Sequence, residues 1–267
     1  DQEQNMIGAE QMSWLKGEMS SSDAAGTVWQ ILGSQTLMTK MELPIGLLAS
    51  SDPATLGAYY QALGQALSGD STAYDALNVA KLPYNLDAWD GYGAEREEIY
   101  ETAEQLGVNL ISIAGDTHNA WLGSLTDAAG NSVGYEFATA GVSAPGLENY
   151  FNTVDPVIMS QLWSGYVDDL EYANTGNRGY LELEFTRDDV TSIYHFVDTV
   201  IDEEYTTTSQ EFVKTLADFP YAEVVDASNN PVTGTVSIGG DVVEGSELTA
   251  TNDLSDADGL GALSYQW

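Results

Sequence analysis

The chain has 267 residues, with 42 acidic residues against 7 Lys plus Arg and a formal net charge of −35. That imbalance argues against nucleic acid or an anionic membrane surface as a partner, because phosphate binding needs basic side chains to displace counterions. Hydrophobic content of 43% and aromatic content of 10% exclude wholesale disorder, and the acidity reads as the hydrated surface of an extracellular or salt-adapted protein.

In chain order, Asn5 to Met19 places Ile7, Met12, Leu15 and Met19 on one helix face, and Ser20 to Asp23 is expected to break that helix. Val28 to Leu32 and Gln35 to Met38 read as short strands. Asp52-Pro53 is a helix start, with Asp as N-cap and Pro at the first helical position. That helix runs to Leu67, with Leu56, Tyr59, Tyr60, Leu63 and Leu67 as its packing stripe. A second helix follows from Ala94, acidic in its first turns, with Ile99, Ala103 and Leu106 on one side and Gly107 as its stop. Val108 to Ala114 is a β-branched run of the kind buried mid-sheet, and it ends in Gly115-Asp116-Thr117-His118. Val133 to Ala140 is a further strand. Gly179 to Phe185 and Val190 to Val197 form a hairpin across Thr186 to Asp189.

The longest apolar stretches, such as Val108 to Ala114, fall far short of the roughly 18 residues of a spanning helix. The opening Asp-Gln-Glu-Gln-Asn carries no targeting pattern and no initiator Met, so it reads as internal, with any signal expected upstream. Composition changes after Lys214, the last basic residue. One layered α/β domain is expected over residues 1–225, and the start of another over residues 231–267. The latter is well below the roughly 100 residues of an immunoglobulin-like sandwich and reads as a truncated β-sandwich stub stopping within a strand at Leu263 to Trp267.

No cysteine is present, and the two histidines are His118 and His195, so disulfides, thiolate sites and multi-histidine sites within this chain are excluded. Any metal must lean on oxygen ligands. Asp116 and His118 leave a buried strand two residues apart, where α/β sheets place their ligands. A carboxylate and an imidazole there suit a divalent or trivalent metal, although Asp-x-His alone is equally the pattern of a turn Asp beside a packed His.

The surrounding residues add to that pair. Tyr84-Asn85-Leu86-Asp87-Ala88-Trp89-Asp90-Gly91-Tyr92 with Arg96, then Gly115-Asp116-Thr117-His118-Asn119-Ala120-Trp121, then Glu136 to Gly146, together resemble the PhoD-like alkaline phosphatases in content and order. Gly8-Ala9-Glu10-Gln11 with Trp14-Leu15 resembles that family's helix before a Trp-containing strand. Arg178-Gly179-Tyr180 and His195 to Val200 resemble its closing hairpin. The resemblance covers roughly residues 5–205 and implies the carboxy-terminal portion of a metallophosphoesterase αββα sandwich with mixed sheets. It implies an exported phosphomonoesterase or phosphodiesterase using iron and calcium, with Asp116 and His118 as metal or phosphate ligands and catalytic residues. The family's earlier ligands have no counterpart here, so the missing amino-terminal part of the same polypeptide is an expected partner and the segment alone is expected to be inactive.

Other candidates read as structure: His195 as a strand histidine beside Ile193 and Val197, Asp90 and Arg96 as an ion pair or helix entry, Trp89 and Tyr92 as packing, and Asp202-Glu203-Glu204 as a solvated turn. Asn119 stands beside the pair and is weighed as a helper. Asp253 to Gly259 fails the EF-hand spacing because Leu254 stands where a carboxylate is required; the tail resembles the opening of a tandem immunoglobulin-like repeat. The alternative to an exported, cell-surface phosphatase is a surface-layer or filament component that keeps the fold as a scaffold and makes surface-layer or self-association contacts.

Overall fold

A computed structural model describes residues 4–49, 52–70, 79–221, 233–240 and 249–255. The chain divides into two compact units, Asp1–Ala222 and Glu223–Trp267.

In the first unit, five strands form a mixed sheet. They are β1 (Trp29–Ser34), β4 (Asn109–Ala114), β5 (Ala120–Thr126), β6 (Ser132–Ala138) and β7 (Leu170–Asn174), in the order β1-β4-β6-β5-β7. The first three in that order run parallel, and β5 and β7 are antiparallel to their neighbours. Two short strands, β2 (Glu42–Pro44) and β3 (Lys81–Pro83), pair separately. The hairpin β8 (Arg178–Phe185) and β9 (Asp189–Val197) gains a third strand, β10 (Thr207–Thr215), to make an antiparallel sheet.

Strand alternation decides what each face meets. Leu110 of β4 turns toward Met12, Met19, Ile99, Tyr100 and Ala103 of helices α1 (Gly8–Ala24) and α3 (Gly93–Leu106). Its neighbour Ile111 turns the other way, toward Val190, Tyr194 and Phe196 of the antiparallel sheet. Ala114, Trp121 and Ala138 continue the helical face, covered by Leu56 and Leu63 of α2 (Pro53–Leu67) and Leu162 and Trp163 of α4 (Pro156–Tyr166). The described residues therefore build three layers: helices, mixed sheet, antiparallel sheet. The outer face of the small sheet carries Tyr180 stacked on His195, whose Nε2 lies 2.9 Å from Glu182, a packed strand histidine. Among the described residues no helix is long and apolar enough to cross a membrane.

Several expectations hold at the level of single contacts. The Asp52 carboxylate accepts the Thr55 N–H at 2.9 Å with Pro53 beginning the helix. In its stripe Leu56 and Leu63 are buried, whereas Tyr60 is exposed and the Leu67 side chain lies outside the described residues. Helix α3 ends at Gly107, whose φ of +68° is the left-handed stop, with the Val108 N–H returning to Ala103 O at 3.1 Å. Nothing lies within 4 Å of a methyl placed on Gly107, so Gly107→Ala isolates backbone strain. It should cost about 1 kcal/mol in thermal unfolding, and an unchanged midpoint would refute that assignment.

Two expectations are corrected. The Ser20 to Asp23 run does not break α1: the helix continues to Ala24, short of the left-handed Gly26, with the Ser21 Oγ turned back onto Gly17 O at 2.8 Å rather than capping an end. Gln35 to Met38 is a loop rather than a strand. Its end is claimed by a carboxylate: Glu136 of β6, fully buried, accepts Met38 N–H at 2.8 Å, Thr39 N–H at 2.8 Å and the Ser112 hydroxyl at 2.8 Å. Arg96 and Tyr100 both donate to Met38 O at 3.1 Å, and Arg96 pairs with Asp90 at 2.7 Å.

In the second unit, β11 (Val236–Gly239) and β12 (Thr249–Asn252) form an antiparallel hairpin. Leu263 to Trp267 and the second half of Asp253 to Gly259 lie outside the described residues.

Candidate metal and phosphate site

The loop between β4 and β5 must turn the chain sharply in five residues. Asp116 and His118 both take left-handed backbone, with φ of 50° and 60°, the non-glycine residues with positive φ among those described. Asp and His are among the types that tolerate this region, yet each still carries strain, and held strain of this kind collects at functional sites. Thr117 supports the turn from within, donating to Asn119 O at 3.0 Å and accepting the Trp121 Nε1–H at 3.0 Å.

The turn brings the two expected site residues together at the carboxyl end of β4, a strand flanked on both sides. His118 Nε2 and Asp116 Oδ1 lie 3.6 Å apart, and both side chains reach solvent. His118 Nδ1 lies 2.9 Å from the carbonyl oxygen of Pro145. A carbonyl only accepts, so Nδ1 carries the proton and Nε2 is left facing Asp116.

The wall behind the pair is built by residues far away in sequence. Arg178, at the start of β8, is buried; its Nη1 donates to His118 O, and its Nη2 forms an ion pair with Glu148 Oε2 at 2.6 Å, not aligned as a hydrogen bond. Glu148 Oε1 accepts the Gly146 N–H at 3.0 Å. Asn119, also buried, accepts the Leu147 N–H at 3.1 Å through Oδ1. Gly146 is fixed by close approach: a methyl there would lie 2.4 Å from Asn119 Nδ2 and 2.8 Å from His118 O.

Sequence reasoning named Asp116, His118 and the neighbour Asn119, which the structure places on one loop, and did not foresee the contacts that Arg178, Glu148 and Pro145 make there. For Pro145 and Arg178 the signal was present only as motif membership, in Glu136 to Gly146 and in Arg178-Gly179-Tyr180; Glu148 lies outside both motifs. A cleft of about 760 Å³ between α1 and β1, lined by Trp14, Leu15, Trp29 and Ile31 among others, contains neither site residue.

A carboxylate oxygen suits calcium or iron and an imidazole nitrogen suits iron, so the pair fits as part of a site for such ions. Among the described residues no group of three or more His, Cys, Asp or Glu is placed to hold a metal ion. Such an ion takes about six donors, so this pair supplies a share of a site.

A mixed sheet packed between helices and a second sheet, with polar side chains at a strand's carboxyl end, defines a layered α/β protein of the type that binds ligands at that edge. A family model for PhoD-like phosphatases matches residues 1–194, and the chain belongs to that family. The solved structure described as "Structure of PhoD" is similar to it with a TM-score of 0.54 and 18% sequence identity, the match covering 80% of this chain and 34% of that one. The chain thus spans about a third of that protein's length, and at this identity the likeness shows the fold. No curated protein matches the chain in sequence.

Proposed function

We propose that the chain is the carboxy-terminal part of the catalytic domain of an exported phosphatase or phosphodiesterase, with Asp116 and His118 as ligands of iron and calcium. The observation that carries this reading is the 3.6 Å approach of Asp116 Oδ1 to His118 Nε2 on a strained strand-end loop, in a chain of the PhoD-like phosphatase family. The reaction is hydrolysis: a P–O bond forms from water, the ester P–O bond breaks, and the alcohol leaves with a proton. When bound, the metals supply an activated water and offset charge on the phosphoryl oxygens. Asp116 contributes a negative oxygen and His118 a neutral nitrogen whose tautomer is held by Pro145. Both side chains reach solvent, as a phosphate ester substrate requires.

The remaining donors come, in this reading, from the amino-terminal part of the same polypeptide, and residues 1–267 alone are silent. The net charge of −35 suits an extracellular or cell-surface setting and disfavours nucleic acid. Residues 231–267 are read as the beginning of an immunoglobulin-like repeat, and the β11–β12 hairpin is the described structure within it. No observation in the fold or the comparisons favours the scaffold alternative.

The test is turnover of p-nitrophenyl phosphate and bis(p-nitrophenyl) phosphate by the intact protein before and after chelation, alongside metal analysis. Loss on chelation and recovery with iron and calcium is expected. An intact protein that carries no metal and turns over neither ester would end the proposal, and metal-dependent turnover by residues 1–267 alone would end its claim of a divided site.

A further inference from the structure

The chain holds 7 Lys plus Arg, and two of its three arginines, Arg96 and Arg178, are buried. Burying a guanidinium is costly unless its donors are used. Arg96 secures the Met38 carbonyl and pairs with Asp90. Arg178 is spent at that loop. Its backbone is set by β8, where it pairs with Val197, and by the Gly179 N–H held at 3.1 Å on Gly141 O. From this rigid base it crosses to the mixed sheet and reaches His118 O, 60 positions away in sequence.

The peptide it holds is the one that follows the left-handed residue His118. A left-handed backbone turns that carbonyl away from the direction an ordinary turn would give it, and a buried donor there opposes its return. The same guanidinium pairs with Glu148, which anchors the Gly146 N–H, next to the Pro145 carbonyl that faces His118 Nδ1. One side chain therefore grips both halves of the His118 to Pro145 contact: the backbone that carries the ring and the turn that carries its acceptor. Lys keeps the charge but loses the fork that reaches two acceptors at once.

We propose that Arg178 is a positioning residue that, together with Glu148, fixes the tautomer of His118 and presents Nε2 to Asp116. The role rests on the reading of Asp116 and His118 as ligands, but its test does not need turnover. Partners of this kind, acting behind a histidine ligand, typically change metal affinity by about 10- to 100-fold.

The intact protein is labelled with ¹⁵N at histidine only, stripped of metal with chelator, and examined at a pH where the ring is neutral; His118 is assigned by its loss in His118→Gln. Wild type is expected to show Nδ1–H. Arg178→Lys and Glu148→Gln should each move His118 toward Nε2–H, the form imidazole prefers in water, and should release metal to chelator at about tenfold lower concentration. Arg96→Lys is the control for losing a buried arginine contact, and should lower thermal stability without altering the tautomer. If Arg178→Lys does not fold, Glu148→Gln decides alone. An unchanged His118 tautomer in the variants that fold, or an equal change in Arg96→Lys, overturns the proposal. A wild type that binds no metal but holds Nδ1–H, with the shift seen in the variants, leaves the positioning role standing and removes the phosphatase reading instead, whereas Nε2–H in wild type overturns the positioning role.

Discussion

In the intact protein, Asp116→Asn should lower kcat/KM for phosphate ester hydrolysis on the order of 100- to 1000-fold, the range seen when one preorganised electrostatic group is lost, while the thermal midpoint stays close to wild type. The two halves of that expectation have separate causes. Activity falls because the amide keeps the shape but replaces a negative oxygen with a neutral donor or acceptor beside His118 Nε2. Stability is kept because the Asp116 side chain is 73% exposed and approaches His118 only at 3.6 Å. Asn also tolerates the φ of +50° at this position as well as Asp does. Ala would be a poorer test, since a methyl at a left-handed position adds backbone strain of its own. Activity within a few fold of wild type, measured on protein with a normal melting curve, would reduce Asp116 to a turn former.

The pair was legible in the sequence because both members lie on one short loop after an unmistakable buried strand. A run such as Leu110 to Ala114 has no polar face to hide its identity, and the Gly107 stop before it separates helix from strand. The β8–β9 hairpin was equally plain, since Leu181, Leu183 and Phe185 alternate with exposed positions on a sheet that faces water on one side. Strand β5 escaped notice for the opposite reason. It begins directly after the site loop and is buried on both faces over Ala120 to Gly123, so no alternation marks it. Its Gly123 reads as a breaker, yet a methyl there would collide at 2.6 Å with Thr39, brought in from a different part of the chain. Helix α1 outran its serines, residues that favour caps and turns, with the Ser21 hydroxyl returned to Gly17 O inside the helix. The long-range contacts were illegible on principle: Arg178 to His118 and Glu136 to Met38 join residues 60 and 98 positions apart, and no periodicity or spacing encodes such a pairing.

Glu136 carries the other large effect. Its carboxylate, in the middle of the mixed sheet, satisfies the Met38 and Thr39 N–H groups and the Ser112 hydroxyl, while Met38 O is taken by Arg96 and Tyr100 from α3. The loop between β1 and β2 thus hangs on β6 through one side chain and on α3 through one carbonyl. Glu136→Ala leaves buried donors without an acceptor and opens a void. At about 1–3 kcal/mol for each orphaned group, the loss should be on the order of 4 kcal/mol, or about 10 °C in the melting midpoint for a unit of this size. Glu136→Gln should lose less than half as much, because the amide oxygen still accepts and the neutral group avoids part of the cost of burying charge. That cost is visible in the carboxyl itself: burial pushes Glu136 above its ordinary value of 4.5, against the downward pull of the Met38, Thr39 and Ser112 hydrogen bonds. A group raised in the folded state lends stability that is fully present below its unfolded value and is lost as pH rises through the folded one. The amide does not titrate, so Glu136→Gln should compare better with wild type at pH 7 than at about pH 4. Melting curves of the three proteins at both pH values test the sign as well as the size. An alanine variant as stable as wild type would show that the loop is held by other means, and an amide variant that compares worse at pH 7 would show that the hydrogen bonds outweigh burial at this carboxylate.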